Sequence, residues 1–129
     1  MRDTPFQQEG YNLIGAAFEV YDEQGNGYLE DVYHESLERE MTARSIPWLT
    51  KPPLVIHYKG VPLSRQYYPD MLVYSEIIVE LKACRVLAPE HEAQLMHYLR
   101  ATHKRIGYLI NFGSHPQLEW KRFVVDFER

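Results

Sequence analysis

The chain has 129 residues, of which 45% are hydrophobic and 25% charged, an ordinary globular composition long enough to bury about two thirds of its unfolded surface in one core. Its one cysteine, Cys84, excludes an intrachain disulfide and a thiolate zinc cage, and no apolar run approaches the ~20 residues of a membrane span. The net charge of −4 argues against a broad basic surface for duplex DNA.

Residues from about Gln7 to Tyr21 place Ile14, Ala17, Phe18 and Tyr21 at helical spacing, and Gly25-Asn26-Gly27 ends that segment as a turn. A second helix is expected from about Leu29 to Arg44. Its stripe is Leu29, Val32, Tyr33, Ser36, Leu37 and Met41, and at 100° per residue Glu30 projects within it. Glu30 is either a first-turn acid complementing the helix dipole or an acid with a partner in a site. Glu40 also falls in the stripe, nearer the helix end.

Pro47 to Pro53 reads as a connector, and Leu54 to Tyr58 and Val61 to Tyr67 read as strands joined across Lys59-Gly60. Tyr67 to Tyr74 and Glu76 to Lys82 then form the arms of an antiparallel hairpin. In the second arm Ile77, Val79 and Leu81 share one face, and Glu80 and Lys82 the other. If Ser75 centres the loop, residues whose numbers sum to 150 lie opposite, which sets Asp70 across from Glu80. A two-residue turn would instead shift the register by one and turn Asp70 to the opposite face. Pro69 cannot donate to a ladder and marks an edge, bulge or bend at Asp70.

Two carboxylates about 5 Å apart at an effective dielectric near 20 repel by roughly 3 kcal/mol. A divalent cation between them reverses that sign, since Mg²⁺ takes hard oxygen ligands and keeps waters. Lys82, on the same face, is then placed to hold an attacking water or a phosphate oxygen. The plainer reading is a solvated strand face with a weak ion pair, and a turn at Pro69-Asp70.

Pro89 suits the first position of a helix running to about His103, with Glu90 and Glu92 in its first turn and Arg100, His103 and Lys104 near its end. Gln94 and Tyr98 lie side by side near the stripe His91, Leu95, Leu99 and Thr102. They either orient Lys82 or a bound phosphate, or form a polar pair at the core margin. Ile106 to Phe112 is a strand covered on both faces, which implies a parallel right-handed crossover, and Phe123 to Phe127 supplies a last strand. The expected order is helix, helix, three strands, helix, strand, strand (ααβββαββ) around one mixed sheet, in a single domain spanning 1–129.

Residues 1–40 carry ten acids and two bases, or −8, and residues 41–129 carry eight acids and twelve bases, or +4. A nucleic acid would lie against the second part, with Arg65, Arg85, Arg100, Lys104, Arg105, Lys121 and Arg122 as phosphate contacts or simply as solubilising charges. Met1-Arg2-Asp3-Thr4-Pro5 lacks the apolar core of a signal peptide, so a cytoplasmic location without a membrane partner is expected. Ten tyrosines can serve the core, base stacking or a homodimer surface.

With these residues in place, the chain resembles the PD-(D/E)xK, or restriction-endonuclease-like, nuclease superfamily, and within it the GxxExxY proteins. The motifs are Gly27-Tyr28-Leu29-Glu30-Asp31-Val32-Tyr33, Tyr58-Lys59-Gly60, Pro69-Asp70-Met71-Leu72-Val73, Val79-Glu80-Leu81-Lys82-Ala83, Gln94-Leu95-Met96-His97-Tyr98-Leu99 and Gly107-Tyr108-Leu109-Ile110-Asn111-Phe112-Gly113. The resemblance implies an α/β restriction-endonuclease-like core in which Glu30, Asp70 and Glu80, with the Leu81 carbonyl, hold Mg²⁺ or Mn²⁺. It further implies that Lys82 positions the nucleophilic water, and Gln94 and Tyr98 match a Q-x-x-x-Y element. The implied activity is metal-dependent hydrolysis of DNA or RNA with low sequence specificity. A non-catalytic nucleic-acid-binding or protein-interaction module on the same fold is the alternative.

Overall fold

The structure, a computed structural model, describes residues 5–127. Met1 to Thr4, part of the stretch read for a leader, lie outside the described residues. Helices α1 (Gln7–Gln24) and α2 (Glu30–Ala43) come first, followed by strands β1 (Trp48–Thr50), β2 (Leu54–Tyr58), β3 (Val61–Tyr67), β4 (Met71–Val73) and β5 (Ile77–Lys82). Helix α3 (Pro89–Thr102) and strands β6 (Ile106–Asn111) and β7 (Glu119–Val124) complete the chain.

The mixed sheet flanked by helices is as expected, but the strand count and the single sheet are not. Five strands lie between α2 and α3, against three in the expected order: each of the four segments read as strands there contains one, and residues 48–50 of the expected connector add a fifth by pairing with β4. The strands form a five-stranded sheet in the order β1-β4-β5-β6-β7 and a separate two-stranded sheet, β2-β3. The break falls at Tyr68 to Asp70, where Pro69 lets the chain leave one sheet and enter the other. The last strand also starts earlier than expected, at Glu119, and Phe127 lies beyond it.

Alternation along β5 decides how the layers form. Ile77, Val79 and Leu81 are fully buried with Leu13, Ala17, Tyr33, Leu37 and Phe112 beneath α1 and α2. On the opposite face Ile78 joins Tyr67, Leu72, Leu95, Leu99 and Leu109 beneath α3 and the hairpin. Strand β6 is buried at all six positions and pairs in parallel with β5, with α3 as the crossover. Phe18, expected on the apolar face of α1, is instead exposed, and so are Leu29 and Val32 at the start of α2. The core-facing stripe of α2 is narrower, consisting of Tyr33, Leu37 and Met41.

Close approaches fix the helices on the sheet. A Cβ on Gly10 would stand 1.9 Å from the Tyr108 hydroxyl, so only glycine lets α1 sit this near β6. At the far end of β6, the buried Asn111 Oδ1 accepts from the N–H groups of Cys84 and Gly113, both at 3.0 Å, while its Nδ2 donates to Glu119 at 3.0 Å. That side chain ties the exit of β5 to the start of β7. Asn111→Ala strands two part-buried backbone donors and is expected to cost about 1–3 kcal/mol, read as a lower urea midpoint with an unchanged slope.

Candidate active site at the β4–β5 hairpin

Strands β4 and β5 pair as Met71↔Val79, Leu72↔Ile78 and Val73↔Ile77, so paired numbers sum to 150, as expected for a loop centred on Ser75. The three-residue loop is built from two left-handed residues, Tyr74 (φ 54°) and Ser75 (φ 66°), and closes with Glu76 N–H donating to the Val73 carbonyl at 3.2 Å. Outside contacts pin it, with Tyr74 N–H on the Pro47 carbonyl at 2.9 Å and Lys104 Nζ on the Ser75 carbonyl at 3.3 Å.

This register brings Asp70 and Glu80 together one step beyond the paired residues. Glu80 Oε1 accepts from the Asp70 N–H at 3.3 Å, and Asp70 Oδ2 accepts from the Leu81 N–H at 2.7 Å. The backbone on each side thus orients the carboxylate of the other. Burial pushes the Glu80 carboxyl up to about 7, with Glu30 adding to the rise, against the Asp70 N–H, Lys82 and Lys51, which lower it. Glu30, the first residue of α2, also titrates above the usual carboxylate range, first through desolvation and then through Asp70. Its nearness to Asp70, Glu80 and Lys82 shows that a helix end and a hairpin converge on one region.

The helix end is placed by the residues around it. Gly27 has φ +114°, a conformation that strains any side chain, and Tyr33, fully buried, stacks on Phe112 at 4.8 Å and donates to the Gly25 carbonyl at 2.5 Å. Glycine turn, acid and buried tyrosine recur at three-residue spacing because each supplies one part of the helix start. Glu40, the other acid of that stripe, pairs with Arg44 at 2.7 Å and takes no part.

Glu80 and Lys82 open into a cleft of about 150 Å³ lined by Tyr67, His91, Gln94, Leu95, Tyr98 and Leu109. Gln94 and Tyr98 therefore face Lys82 across the cleft. Tyr98 stacks flat on Tyr67, with centroids 3.8 Å apart, and the Tyr67 hydroxyl donates to Glu80 Oε2. Tyr67 and Lys51 are the site residues that sequence reasoning missed. Tyr67 ends β3 three residues before Asp70, where the available signal was a tyrosine two residues ahead of Pro69. Lys51, in the misread connector, stands 3.8 Å from Asp70 Oδ1.

The donors are hard oxygens, the chemistry a divalent cation such as Mg²⁺ takes. Yet among the described residues no group of three His, Cys, Asp or Glu side chains stands close enough to form a ready cation cage. Of the expected phosphate contacts, Lys104, Lys121 and Arg122 are engaged internally with Glu76, Glu92 and Tyr108. Arg65, Arg85, Arg100 and Arg105 are exposed.

The sequence matches the PD-(D/E)XK nuclease superfamily over residues 7–123. The chain belongs to that superfamily. Among solved structures, this PD-(D/E)XK chain is similar to the crystal structure of SSO0001, with 18% identity and a TM-score of 0.57, over 76% of this chain and 50% of that one. It is also similar to an alkaline exonuclease, LHK-Exo, from Laribacter hongkongensis, with 13% identity and a TM-score of 0.52, over 98% of this chain and 73% of that one. The chain thus spans half the length of the first and about three quarters of the second. At such identities the likeness concerns the fold. No curated protein matches the chain. No described helix is long and apolar enough to cross a membrane.

A carboxyl raised from 4.5 to about 7 keeps its proton in the folded state where the unfolded chain has lost it, so stability falls as pH rises between those values. At about 1.4 kcal/mol per unit the loss approaches 3 kcal/mol by pH 8. Glu80→Gln is expected to remove most of that slope in urea melts from pH 5 to 8. Glu30 leaves a residue of the same sign, and an unchanged slope would place the titrating group elsewhere.

Proposed function

We propose that the protein is a metal-dependent nuclease of the GxxExxY group that hydrolyses phosphodiester bonds in DNA or RNA with low sequence specificity. The carrying observation is the reciprocal clasp of Asp70 and Glu80, with Lys82 two residues on facing the same cleft. Asp70 and Glu80, joined by Glu30 and the Leu81 carbonyl, would hold Mg²⁺ or Mn²⁺. When bound, such an ion polarises the phosphate and lowers the pKa of a water.

The chain's own groups supply the rest. Lys82 orients the attacking water and faces the charge that builds on the phosphate oxygens. The water oxygen bonds to phosphorus as the bond to the leaving sugar oxygen breaks, and that oxygen takes up a proton. Gln94, exposed on α3, offers an amide to a phosphate oxygen. Tyr98 braces the Tyr67 ring whose hydroxyl holds Glu80.

Incubation of labelled single- and double-stranded DNA and RNA with Mg²⁺ or Mn²⁺ is expected to give cleavage that falls by at least about 100-fold in Asp70→Asn and Lys82→Met, the scale of losing a positioned electrostatic contact. Activity surviving both substitutions would place the chemistry elsewhere.

The open spacing of the acids favours a second reading, a nucleic-acid-binding or protein-interaction module that keeps the fold without catalysis. Thermal melting with Mn²⁺ separates the two, because an ion at 100 times its dissociation constant stabilises by about 2.7 kcal/mol. Binding should displace the Glu80 proton, so the shift is expected to grow as pH rises toward 7. No shift at any pH supports the module.

A further inference from the structure

Lys51 belongs to none of the sequence motifs, yet it reaches the acids from outside the hairpin. Its ammonium stands 3.8 Å from Asp70 Oδ1, and its own N–H donates to the Asp70 carbonyl at 3.0 Å. It also acts electrostatically on both Glu30 and Glu80. One ammonium thus lies within range of all three carboxylates, at their solvent side, with its side chain 58% exposed.

The backbone there is costly. Lys51 has φ 46°, in the left-handed region, and precedes Pro52, which steers a residue toward extended conformations. Glycine or asparagine would take that conformation more easily and make the same backbone hydrogen bond. An exposed ion pair contributes little to folding, so it does not repay the strain. Strain held beside opposed charges motivates a functional reading of Lys51.

Charge counting indicates what the function is. With all groups ionised, Glu30, Asp70 and Glu80 against Lys51 and Lys82 leave −1. A divalent cation changes that to +1, the complement of a phosphodiester's single negative charge. Without Lys51 the loaded site is neutral and offers no net attraction.

We propose that Lys51 is a substrate-binding residue: with Asp70 committed to a divalent cation, its ammonium turns from Asp70 to a non-bridging oxygen of the nucleic-acid phosphate bound beside Asp70. The proposal rests on the nuclease reading of this site. In the metal-free protein Lys51 stands in for the cation.

The test uses the full chain with Lys82→Met as the parent, so that substrate is not consumed. Fluorescence anisotropy measures binding of labelled single-stranded DNA, duplex DNA and RNA across a salt series, with Mn²⁺ and with EDTA. In Mn²⁺, Lys51→Met is expected to bind about tenfold more weakly, with a log–log salt slope shallower by about 1, and Lys51→Arg to restore both. In EDTA the substitution should have little effect, because the ammonium is then tied to Asp70. The Mn²⁺ affinity of Lys51→Met, by calorimetry, should rise about two- to fivefold as a competing cation is removed. Equal affinity and slope for Lys51→Met and the parent in Mn²⁺, with parent binding intact, overturns the role of Lys51 and leaves the nuclease reading standing. A parent that binds neither Mn²⁺ nor any of the nucleic acids overturns both.

Discussion

The site depends on one constraint, the pairing register of β4 on β5. Side chains alternate across a strand, so a slip of one residue would send Asp70 to the α1/α2 face and bury Glu80 against nothing that could hold it. The register is held by the left-handed pair Tyr74 and Ser75, by the Pro47 and Lys104 contacts on the loop, and by burial of Ile77, Val79 and Leu81 beneath the first two helices. What the clasp of Asp70 and Glu80 costs in repulsion and desolvation is met by the core on the other side of the same strand.

The site is therefore assembled from short-range features on a long-range frame. Adjacent strands bring the hairpin acids together, but Glu30 arrives from a helix 40 residues earlier in sequence, positioned by the glycine turn and by Tyr33 stacked on Phe112. Gln94 and Tyr98 arrive on the crossover helix, which lies over the sheet because β5 and β6 run parallel. One superfamily fold thus gathers an acid, a hairpin and a polar helix face at one end of a sheet.

Much of this was legible in sequence. The alternation of Ile77 to Lys82, the loop centre at Ser75, Pro89 opening α3 and the nearly continuous apolar run Ile106 to Phe112 follow from periodicity and turn chemistry, and each stands as expected. What failed has a common physical cause. Strand β1 has three residues with intermediate or exposed side chains, so it carries no alternation, and its strand character comes only from pairing with β4. Lys51 went unnoticed for the same reason. Nor does Val61 to Tyr67, exposed at every residue but the last, reveal that it leaves the main sheet. The dispersion of the acids is beyond sequence altogether, since it depends on side-chain reach at the junction of helix and hairpin.

Strand β6 carries a further consequence. It lies between β5 and β7 in the interior of the five-stranded sheet, yet it comes late in the chain, after every acid of the site has already been made. A nascent polypeptide emerging as far as α3 would possess the hairpin and both early helices but would expose the flank of β5 and the underside of α3 to solvent. Insertion of Ile106–Asn111 closes both at once. Assembly of the pocket is thereby coupled to synthesis of nearly the whole domain, and a partial chain offers a sticky sheet edge in place of a working cleft.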